Sequence, residues 1–110
     1  MEARVDGKVA LVTGASRGIG EAIAVELLAS GAGGVTITGR KPENLAAAAG
    51  RLGNEDRLLT AVAKADDPDA ATSAVGATME RFGRLDILVN NAATNPAPGP
   101  LADVDLGALE

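Results

Sequence analysis

The chain has no cysteine, histidine, tryptophan or tyrosine, and Phe82 is its only aromatic residue. Without cysteine there is no disulfide, no thiolate metal site and no thiol nucleophile. With histidine and tyrosine also missing, proton transfer falls to carboxylates and to three lysines, Lys8, Lys41 and Lys64. No apolar run approaches the ~20 residues that a membrane-spanning helix needs. The opening MEARVDGKVA lacks the apolar stretch of a signal peptide. Positive charge is short as well, 10 lysines and arginines against 15 aspartates and glutamates, for a net charge of −5. That balance speaks against a nucleic-acid backbone or an anionic membrane as partner. The expectation is a soluble, cytoplasmic protein with no metal site.

What is present is a globular composition, 46% hydrophobic and 23% charged, over 110 residues. One domain spanning residues 1–110 is expected. With so few aromatics its core must be built from Val, Ile, Leu and Ala, as in a buried parallel sheet. KVALV, residues 8–12, reads as a buried strand that stops at a glycine turn. From Gly18 to Ser30 the residues Ile19, Ala22, Ile23 and Leu27 recur at helical spacing, and Gly31 follows as a stop. VTIT at 35–38 is a second strand, and Pro42 opens a second helix that runs to about Leu52. LLTAVA at 58–63 is a third strand. Asp67-Pro68 is expected to cap a third helix that ends at Phe82-Gly83. LDILVN at 85–90 is a fourth strand, and the prolines of TNPAPGPL at 94–101 argue against regular structure there. A fourth helix is expected to open near Asp103 or Asp105 and to be cut short by the end of the chain.

Strands alternating with helices predict an α/β fold, a parallel sheet with helices on both faces. Right-handed crossovers give a Rossmann-like strand order 3-2-1-4, truncated after the fourth strand. The strand order reverses between strands 1 and 4, and ligands bind at such a point outside the carboxyl ends of the strands. Gly14 to Gly20 and Asn90 to Ala92 both belong there. The segment LVTGASRGIG carries Gly14, Gly18 and Gly20 between a strand and a helix. One glycine suffices for a tight turn. Three let backbone N–H groups and the helix N-terminus approach a pyrophosphate without side chains in the way.

LVTGASRGIGEAIA resembles the cofactor motif of the short-chain dehydrogenases/reductases, a family of nicotinamide-dependent oxidoreductases. DILVNNA resembles the family's second hallmark, Asn-Asn-Ala-Gly, with Ala93 in place of the final glycine. The resemblance runs from about Gly7 to Glu110. It implies cofactor contacts from Gly14, Ser16, Arg17, Gly18, Ile19 and Gly20, and from Asn91 and Ala92 on the nicotinamide side. It also gives Asn90 and Asn91 a role in tying the sheet together. Asp86 reads as the start of a strand rather than a chemical group. Relatives that bind NAD carry an acid at the end of strand 2, about 20 residues past the glycines. Here that point reads Thr38-Gly39-Arg40. Arg40 is a fork of donors suited to a 2′-phosphate, and Arg17 can reach the same group. NADP is therefore expected, with NAD second. After strand 3 the resemblance places the Ala65 N–H beside the adenine. Lys64 or Asp66 faces the ring, and the sequence leaves the choice between them open.

The family's acid/base tyrosine, its lysine and its serine have no counterparts here. The chain has no tyrosine, its lysines all come too early, and Ser16, Ser30 and Ser73 fall in the wrong elements. No catalytic residue is assigned. The first expectation is the N-terminal part of an enzyme that moves hydride between NADP(H) and a small carbonyl or alcohol substrate, the intact enzyme being a homo-oligomer. The alternatives are a stand-alone, non-catalytic nucleotide-binding module and a half-enzyme completed by a partner chain. Cut off after strand 4, the chain is expected to leave DILVN as a bare sheet edge prone to self-association.

Overall fold

In the computed structural model of the protein, residues 5–14, 18–63 and 68–91 are described, together with the backbone of 103–105. Among these, five strands form one sheet in the order β3-β2-β1-β4-β5. Strands β1 (Val9–Thr13), β2 (Gly34–Gly39), β3 (Leu58–Val62) and β4 (Ile87–Asn90) are mutually parallel. Helices α1 (Gly18–Ala29), α2 (Pro42–Leu52) and α3 (Ala70–Phe82) supply the crossovers. The expected 3-2-1-4 order is the observed one.

Residue alternation along the central strands assigns the helices to faces. Ala10, Val12, Val35, Ile37, Ile87 and Val89 share a cluster with Ala24 and Leu28 of α1 and Leu45 and Ala48 of α2. Thr36 points the other way and meets α3. Its hydroxyl lies 2.8 Å from that of Thr78, which also bonds the Ala74 carbonyl at 2.7 Å. Both threonines are fully buried, so this pair satisfies polar groups that water cannot reach. At the start of β2, a Cβ on Gly34 would lie 2.5 Å from the Phe82 ring. The glycine is what lets the end of α3 dock on the sheet.

Two element boundaries differ from expectation. Helix α3 begins at Ala70 with Asp69 as its N-cap residue, and Pro68 stands in a turn ahead of it. Asp67 lies outside the described residues. Aspartates flank Pro68 on both sides, and the helix takes the second of them as its N-cap residue. The second difference is larger. Asp103–Asp105 is a strand, β5, antiparallel to β4 with Val104 opposite Val89, and not the start of a helix. An edge with unpaired N–H and C=O groups accepts any extended segment within reach. The aspartates would serve a helix start, but the β-branched valine suits a strand and pairing with the β4 edge decides the outcome. The expected bare edge at β4 is therefore corrected: β5 lies along it.

Candidate functional site

The carboxyl ends of β1, β2 and β4 converge, and side-chain hydroxyls and amides stitch them together. Thr13, the last residue of β1, reaches toward β4. Its Oγ1 accepts the Asn91 N–H at 2.9 Å and donates to Asn90 Oδ1 at 3.1 Å. Asn91 Nδ2 in turn donates to the Gly14 carbonyl at 3.3 Å. From the other side, Thr38 Oγ1 of β2 accepts the Gly14 N–H at 3.2 Å. Gly14 is thus held from both neighbouring strands while it turns at φ +64°. Sequence reasoning passed over Thr13 and Thr38 as site residues. The available signal was a hydroxyl at the end of an otherwise apolar, buried strand, which must find a partner.

Gly18 opens α1 at φ +69°, and a Cβ placed on it would meet nothing within 4 Å. Packing does not demand a glycine here. The backbone angle does, and the open side leaves room for a bound group against the helix N-terminus. Gly20 is buried, whereas Ile19 is 48% exposed beside it. Arg40 leaves β2 at the same end of the sheet, exposed, and makes no hydrogen bond or ion pair among the described residues. A turn of glycines, the N-terminus of a helix and a guanidinium without a partner among the described residues fit a phosphorylated dinucleotide. Ser16, Arg17, Ala65 and Ala92 lie outside the described residues, as do Lys64 and Asp66.

Glu21 in the first turn of α1 would repel an anion there. Arg51 of α2 neutralises it through two contacts, Nε to Oε2 at 2.8 Å and Nη2 to Oε1 at 2.7 Å. That pairing holds the Glu21 carboxyl below its usual range. Asp86 sits at the opposite end of the sheet. Its Oδ2 accepts the Val9 N–H at 2.9 Å and the Arg84 Nε at 2.7 Å. The Arg84 guanidinium lowers its pKa and the Val9 N–H adds to this, against burial. Its role is to join the starts of β1 and β4. A cleft of about 340 Å³ between α1 and α2 is lined by Val25, Leu28, Leu52 and Arg57. Arg57 there donates to the Ala32 carbonyl at 2.9 Å and to Asn54 Oδ1 at 2.7 Å, so its charge is committed to closing the end of α1.

The sequence profile of the short chain dehydrogenase family matches residues 8–110. The chain belongs to the short chain dehydrogenase family. Dehydrogenase/reductase SDR family member 4 of Caenorhabditis elegans is 43% identical over 106 residues, covering 92% of this chain and 39% of that protein. Glucose dehydrogenase of the same organism, in its apo form, superposes with a TM-score of 0.76 at 38% identity, over 84% of this chain and 40% of the other. The C-domain of a bacterial malonyl-CoA reductase, solved with NADP, gives a TM-score of 0.74 at 37% identity, over 84% of this chain and 16% of that one. The chain spans about two-fifths of the length of the curated relatives it matches. It corresponds to the N-terminal, glycine-motif part of a short chain dehydrogenase.

Proposed function

We propose that residues 1–110 form a single, partial dinucleotide-binding domain that holds NADP(H) at the carboxyl ends of β1, β2 and β4. Gly14, Ser16, Arg17, Gly18, Ile19 and Gly20 take the pyrophosphate, Arg40 and Arg17 the 2′-phosphate, Ala65 the adenine side, and Asn91 and Ala92 the nicotinamide side. The observation that carries the choice of NADP is Arg40, an exposed cation with no hydrogen bond or ion pair among the described residues, where an NAD-selective relative would place an acid. The NADP held by the C-domain of the bacterial malonyl-CoA reductase supports it.

When bound, the nicotinamide carries the hydride. The chain's own residues bind and orient it, and none of them is assigned to proton transfer. The intact protein is an oxidoreductase acting on a small carbonyl or alcohol, a homo-oligomer, with neither nucleic acid nor membrane as partner. A second reading, a nucleotide-binding module without catalysis, draws on β5, which covers the edge of β4.

Calorimetric titration of the chain with NADPH and with NADH tests the proposal. The expected outcome is tighter binding of NADPH. Arg40→Ala is expected to weaken NADPH by about tenfold or more, the size of a charge-assisted hydrogen bond, and to leave NADH nearly unchanged. Tighter binding of NADH by the unmodified chain would overturn the choice of cofactor.

A further inference from the structure

Thr38 is 2% exposed and lies in β2, all of whose residues are buried. A valine would fill the same volume and suit the strand at least as well. Burying a hydroxyl in such a place is unfavourable unless it is hydrogen-bonded. Thr36, two residues earlier on the same face, finds its partner in Thr78. Thr38 finds its partner outside its own strand, in the Gly14 N–H at 3.2 Å. The next peptide plane is held from the opposite strand, where Asn91 Nδ2 donates to the Gly14 carbonyl at 3.3 Å. Gly14 has no side chain to wedge it and stands at φ +64°, so these two bonds determine how its peptide planes are turned.

We infer that Thr38 is a positioning residue for the dinucleotide: its buried hydroxyl fixes the Gly14 peptide and thereby aims the glycine turn. The inference rests on the proposal that this turn holds the pyrophosphate. Without the hydroxyl the Gly14 N–H loses its partner, the peptide can rotate, and the N–H groups that follow are presented in a spread of directions. Ordering them then falls to the ligand and weakens binding. The pyrophosphate is common to NADPH and NADH, so both lose affinity by the same factor. Arg40, two residues on, discriminates between them, and Thr38 does not.

The test uses Thr38→Val, which keeps the shape, and Thr38→Ser, which keeps the hydroxyl. Each variant is titrated with NADPH and NADH, and the exchange rate of the Gly14 amide is measured by NMR without ligand. Protection of the Leu11 and Ile37 amides reports that the sheet is intact. Thr38→Val is expected to weaken both nucleotides by about tenfold, with Gly14 exchange accelerated and Leu11 and Ile37 still protected. Thr38→Ser is expected to restore both properties. Unchanged affinity in Thr38→Val, or a loss confined to NADPH, would overturn the inference. A parent chain that binds neither nucleotide overturns the cofactor proposal itself. The claim that Thr38 fixes Gly14 is then decided by exchange alone: faster exchange in Thr38→Val supports it and equal exchange refutes it.

Discussion

Gly18 combines a left-handed backbone angle of +69° with empty space where a side chain would stand. An alanine there keeps the fold but pays in backbone strain, about 1 kcal/mol, or roughly 5 °C in Tm for a domain of this size. Its methyl group also projects into the open side of the turn. Gly18→Ala is therefore expected to melt slightly lower by calorimetry and to lose NADPH binding out of proportion to that shift. Asp86 gives a pH-dependent counterpart at the far end of the sheet. Its native pKa lies below the unfolded value of ~3.9, so the native state binds fewer protons. The stabilisation is present above the unfolded pKa and is lost as pH falls through the native one. Asp86→Asn is expected to lower thermal stability at pH 7, and the difference from the parent should shrink steadily as pH falls below the unfolded carboxylate pKa. The glycines, Arg40 and Asn91 stood out in the sequence as candidates by residue type and spacing, and the structure brings Gly14 and Asn91 into contact. Thr13 and Thr38 were not, since a threonine in a strand is ordinary until its partner is known.

At the scale of elements, the strands and helices were legible because β-branched runs and helical spacing alternate cleanly along the chain. What the sequence could not convey was contact between distant elements. The docking of α3 depends on Gly34, 48 residues before Phe82 in the chain, leaving room for its ring. Gly34→Ala is expected to destabilise the protein by about 1–3 kcal/mol through overpacking. Combining it with Phe82→Ala should relieve the clash, so the double variant should be more stable than the sum of the single effects implies. Denaturant titration of the four proteins measures this directly. The start of α3 was misplaced by two residues because aspartates flank Pro68 on both sides and spacing alone does not choose between them.

For the whole molecule, the order β3-β2-β1-β4 followed from handedness and alternation, and β5 did not. Three residues carry no periodicity, and an antiparallel return becomes visible only once the β4 edge needs a partner. The consequence for association is concrete. A three-residue edge strand with an aspartate at each end is a poor template for pairing with another chain. Val104→Pro removes a backbone donor from β5 and should uncover β4, raising self-association in sedimentation velocity above that of the parent. The central claim is that the carboxyl ends of β1, β2 and β4 bind a phosphorylated dinucleotide. Following the backbone amide resonances of the chain while NADPH is added tests it most directly. Saturable shifts centred on Gly14, Gly18, Gly20, Arg40 and Asn91 are the expected result. Saturable shifts centred on Val25, Leu52 and Arg57 at the α1–α2 cleft, or no saturable shift at all, would contradict it.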